Sequence, residues 1–181
     1  MKTVVHPESG LWKATLTDEE LVEMPWDFCR IHAFAVTAYE GPPWDDMTPE
    51  GYREHDDLDP TAPSDLLLHL DLDYIVRRVE FGPLRDVRYW VAPATLIFDN
   101  VWDIVGSLRS VCLPLELKSL RQEEATGRAQ DHCWHLEGRD MDLRFQASRY
   151  TLYVRRPPRY GDRVLRMAER GGISFDPHPF A

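Results

Sequence analysis

Three side chains that can bind a metal or move a proton recur at every second position in one segment: His69, Asp71 and Asp73. Imidazole and carboxylate are ligands for zinc or manganese, and on a strand these three would share one face. Alternate strand residues lie about 6.5–7 Å apart, so three in a row span too far for one ion without a further ligand. The plain alternative is the wet face of a half-buried strand. His132 and His135 stand three apart and would share a face on a helix. The Cys133-Trp134 pair between them is strand-like, and on a strand they diverge.

Arg155, Arg156 and Arg159, continued by Arg163, form the one dense basic patch. With Tyr153 and Tyr160 interleaved it could take an anion or stack on a base. The alternative is pairing with acidic residues elsewhere in the fold. No GxSxG elbow, phosphate-binding glycine loop or GxGxxG fingerprint occurs. Those absences remove the enzyme classes that announce themselves and predict no cofactor.

The 181 residues carry a net charge of −10, unevenly spread. Residues 1–60 hold 4 basic and 14 acidic side chains, whereas residues 142–181 hold 8 basic and 4 acidic. Such a balance argues against general nucleic-acid binding, where many cations must meet phosphates. It suits capture of a basic protein through Asp45, Asp46, Glu50, Glu54, Asp56, Asp57 and Asp59. These seven lie in a Pro-rich acidic stretch, 41–64, that reads as a lid or a disordered excursion. Three cysteines without a CxxC spacing argue against a disulfide framework and fit a reducing cytoplasm. No apolar run reaches the ~20 residues of a membrane helix, and MKTVVHPESG lacks the apolar stretch and cleavage site expected of a secretory signal.

The elements that must position these groups are mostly strands. Leu11–Leu16, Phe28–Tyr39, Leu66–Val79, Val87–Asp103 with a break at Asp99-Asn100, Leu113–Leu120 and Tyr150–Val154 all read as β. In the second of these, Cys29, Ile31, Ala33 and Ala35 are expected on one face, and Phe28, Arg30, His32, Phe34 and Val36 on the other. Pro93 suggests a bulge or an edge. His132–Glu137 and Met141–Ala147 read as a hairpin, with Gly138 supplying a positive φ. Thr17 and Glu20 form a capping box for one or two helical turns, and 162–170 reads as a helix with Asp162 as N-cap and Gly171 as its stop. Strand following strand predicts a single mainly β (α+β) domain over 1–181: an antiparallel β-sandwich or partly closed barrel with two short peripheral helices.

Several words have a family ring. Tyr89–Ile104, LLLHLDLDYIVR, Tyr150–Pro158 and Glu169–Phe175 resemble a family of uncharacterised actinobacterial proteins. The resemblance covers 64–175 and implies no activity. Phe98-Asp-Asn-Val101 is similar to strand ends of β-rich polymorphic-toxin immunity proteins. Gly10-Leu11-Trp12 resembles the GxW opening of lipocalin-like barrels, which implies an internal cavity, fronted here by Trp12, Trp90 or Trp102.

The expectation is therefore a non-catalytic binding or immunity-type module with a basic protein partner. A small-molecule-binding barrel and a metal-dependent enzyme on His69, Asp71 and Asp73 are the alternatives. A strand apolar on both faces would also suit a homodimer.

Overall fold

The computed structural model describes residues 5–21, 26–38, 66–82, 86–109, 112–123 and 132–181. Among these residues there are ten strands: β1 (Thr15–Thr17), β2 (Arg30–Ala38), β3 (Leu66–Phe81), β4 (Asp86–Asp99), β5 (Trp102–Leu108), β6 (Leu115–Glu123), β7 (His132–Gly138), β8 (Met141–Ala147), β9 (Arg149–Val154) and β10 (Arg159–Gly161). All pair antiparallel in one sheet, in the order β1-β9-β4-β3-β2-β6-β7-β8-β5, with β10 also on β4.

That order forces the sheet to curl. β8 and β9 stand far apart in it, yet only Ser148 separates them along the chain. β4 and β5 are likewise joined through positions 100 and 101 alone. The two bends touch: the Ser148 amide donates to the Asp99 carbonyl at 3.0 Å, and Asn100 Nδ2 donates to Ser148 Oγ at 2.8 Å. Asn100 takes φ 57°, a left-handed conformation that asparagine tolerates well. The ladder stays open, so the result is one curled, unclosed antiparallel sheet, which fits the sandwich or partly closed barrel that the strand pattern predicts.

Leu70, Leu72 and Tyr74 of β3 point inwards with Leu96 and Phe98 of β4 and Tyr150 and Leu152 of β9. Phe98 bridges to the far wall, with ring centroids 5.9 Å from Trp134 and 4.8 Å from Phe145. Burial of such side chains contributes about 1.5–3 kcal/mol each.

Several expectations need correction. β2 does not keep strict alternation: a bulge between Ile31 and Ala33 puts Ile31 on the same inner face as Phe34 and Val36. Phe34 and Val36 on that face are exposed in the single chain. Pro93 lies in a central strand. Its carbonyl accepts from the Arg155 amide, so its missing N–H faces the gap where β9 ends and β10 has not begun. Gly138 does not have a positive φ. A Cβ there would lie 2.5 Å from the Glu116 carbonyl oxygen, so close approach of β6 demands the glycine.

The helix expected over 162–170 is only α1 (Met167–Arg170), preceded by Arg166 and stopped by Gly171 at φ 79°. It starts late because the Leu165 amide donates to Asp73 rather than to a helical turn. The capping box at Thr17 opens one 3-10 turn, Asp18–Glu20. Among the described residues no helix is long and apolar enough to cross a membrane.

Candidate functional site

The outer face of β3 is not wet. Asp71 and Asp73 are fully buried, because residues 162–180 run over this face as a strap. Arg170, the largest fully buried side chain, reaches both carboxylates. Its Nη1 and Nη2 donate to the two oxygens of Asp71 at 2.7 and 2.9 Å, and its Nε donates to Asp73 at 3.1 Å. Arg155 Nη2 also donates to Asp71, and the Ser174 amide does so at 3.3 Å. Asp73 further accepts from the Leu165 amide at 3.0 Å and from Nε2 of the buried His32 at 3.0 Å. Two carboxylates thus face two guanidinium groups, which is how buried charge is tolerated.

The electrostatics follow the partners. Burial pulls the Arg170 pKa down, but the hydrogen bond to Asp71 and the charges of Asp71 and Asp73 outweigh it, and the net shift is upwards. Arg155 shifts down, because burial outweighs its attraction to Asp71.

His69 stands apart from this cluster. Its Nε2 lies 2.8 Å from Thr37 Oγ1, the Phe175 ring meets it edge-on at 6.0 Å, and its buried Nδ1 has no partner among the described residues. Burial lowers its pKa, against the charge of Asp99. The expected metal face therefore does not assemble: Asp71 and Asp73 are held by arginines. Among the described residues no three His, Cys, Asp or Glu side chains gather as an ion would need.

The basic trio is divided as well. Arg155 turns inwards to Asp71, while Arg156 is exposed and its guanidinium lies against Gly171. Arg159, also exposed, sits 3.6 Å from Glu169. Asp45, Asp46, Glu50, Glu54, Asp56, Asp57, Asp59 and the whole of 41–64 lie outside the described residues.

His135 occupies a second ionic cluster, on the outer face of β7. Its Nε2 lies 2.9 Å from Asp142, and its Nδ1 lies 3.1 Å from Glu123 and 3.0 Å from Arg121. Like the cluster on β3, it is satisfied from within the chain.

The concavity is elsewhere. A cavity of about 570 Å³ opens at one end of the barrel. Trp26, Trp134 and Tyr150 lie at its floor, all buried, with Leu21 and Leu120 beside them. Asp18 and Glu19 stand on one side of the rim; Gln122 and His132, bonded to each other at 2.7 Å, stand on the other. No family model, curated protein or solved structure matches this chain. The site is thus defined by its own geometry.

Trp12, Trp90 and Trp102, the tryptophans expected at a cavity mouth, do not line it. Trp90 packs instead between Tyr160 and His6. The residues that do line it come from four separate stretches of chain. Trp134 and Tyr150 carried a signal in the sequence only as members of alternating strands.

Proposed function

We propose that this chain is a non-catalytic binding module whose ligand seat is the open end of the barrel. One observation carries the reading: the cavity of about 570 Å³ sets an aromatic floor beneath a polar rim of Asp18, Glu19, Arg121, Gln122 and His132. Small-molecule sites have this size, and aromatic walls with convergent polar groups give a ligand both contact area and orientation. The ionisable clusters support it indirectly, because Asp71, Asp73 and His135 are paired within the chain.

The test is titration with N-phenyl-1-naphthylamine, a neutral apolar probe that brightens when it leaves water. Saturable enhancement is expected for the native chain. It should be lost in Gln122→Trp, which fills the rim from an exposed position, at an unchanged melting temperature. Equal enhancement in both proteins defeats the reading.

A second reading, an immunity-type module that neutralises a basic protein, draws on the net −10 carried by residues 1–60. A pull-down from a native host that yields no basic partner counts against it.

A further inference from the structure

We propose that the barrel mouth selects an apolar organic cation, an amine or quaternary ammonium, an inference that rests on the binding function assigned above. The floor supplies aromatic faces. Trp26 and Trp134 both meet Tyr150 edge-on, with centroids 6.0 and 5.0 Å apart. The Trp134 Nε1–H is already given to the Ala147 carbonyl at 3.2 Å, so this indole has no donor left for a ligand. Such faces carry negative charge density and attract cations, most strongly where water is excluded.

The rim supplies carboxylates of the same sign. Glu20, the third acid of the 3-10 turn, is taken: Lys13 Nζ contacts it at 3.0 Å and the Thr17 amide donates to it. Asp18 and Glu19 line the cavity and form no ion pair among the described residues; the charge of Asp18 reaches Arg149, but that guanidinium is paired with Asp99 at 2.7 Å. Asp18 is close enough to help push the Tyr150 phenol pKa up, behind burial as the main cause.

The opposite wall does not neutralise them. Arg121, the one arginine or lysine among the described residues that line the cavity, is committed to Glu137 at 3.0 Å and to His135 at 3.0 Å. His132 Nδ1 is tied to Gln122. An anion entering here would meet two unpaired carboxylates, whereas a cation would meet them and the ring faces together. The net charge of −10 draws ligands of the same kind towards the surface.

The experiment is calorimetric titration of the full chain with three probes of similar shape: benzyltrimethylammonium, benzyl methyl ether and phenylacetate. The cation should bind about tenfold tighter than the ether, and phenylacetate weakest of all. Asp18→Asn with Glu19→Gln should weaken the cation about fivefold or more and leave the ether unchanged, at an unaltered melting temperature. Equal affinity for cation and ether, or preference for phenylacetate, overturns the selectivity while leaving the binding site in place. If none of the three binds and the naphthylamine probe is also silent, the site and its selectivity fall together.

Discussion

Arg170 holds Asp71 in a two-pronged grip, Nη1 to Oδ2 at 2.7 Å and Nη2 to Oδ1 at 2.9 Å, between residues 99 apart in the chain. Planar guanidinium matches planar carboxylate in this geometry, which lysine cannot reproduce. The pair fastens the C-terminal strap to the central strand. It also explains how two aspartates can sit fully buried beneath the strap.

Removing Arg170 should therefore be costly. Arg170→Met leaves Asp71 and Asp73 buried with one cation fewer, and a loss of about 3–5 kcal/mol is expected in urea denaturation. Arg170→Lys keeps the charge but loses the fork and should still cost about 1.5–3 kcal/mol. A wild-type midpoint for Arg170→Met would show that the strap is not held this way.

Two glycines give a contrast that propensity alone does not predict. A Cβ at position 138 would meet the Glu116 carbonyl oxygen at 2.5 Å, whereas one at position 161 meets nothing within 4 Å. Gly138→Ala should destabilise by roughly 1–3 kcal/mol. Gly161→Ala should stay within about 0.5 kcal/mol of the native chain. The same denaturation assay compares them, and equal midpoints would remove the close-approach explanation.

Acid should find His69. Burial holds its pKa below the ordinary value of 6.5 in the folded chain, and unfolding restores it. As pH falls below about 6.5, the unfolded chain takes up the proton first. The stability present above that pH is lost as the pH falls towards the folded value. His69→Gln should flatten this part of the stability–pH curve. An identical slope in the variant would assign the acid sensitivity to other groups.

The three thiols should separate in rate. Burial pushes the Cys29 thiol up to about 12, and Cys133 is shifted up by burial and then by the charge of Glu123. Cys112 is exposed. Ellman's reagent should modify Cys112 first, Cys133 slowly and Cys29 only after unfolding. Cys112→Ser should delete the fast phase and leave the others. Fast reaction of Cys29 in the native protein would contradict its place in the core.

The alternation of Leu68, Leu70, Leu72 and Tyr74, and the hairpin that pairs Glu137 with Asp142, were legible in the chain itself. So was the stop at Gly171. Each depends on residues within a few positions of one another, where backbone sterics and side-chain period act directly. The same alternation misplaced Asp71 and Asp73. A carboxylate every second residue reads as a wet face until an arginine 97 to 99 positions away covers it. The cost of burying a charge is set by its partner, and no local pattern names that partner. The bulge at His32 and the aromatic mouth belong to the same class. One depends on how β2 meets β3, the other on four stretches of chain converging. Strand character thus came from neighbours in sequence, while burial of charge and the shape of the cavity came only from neighbours in space.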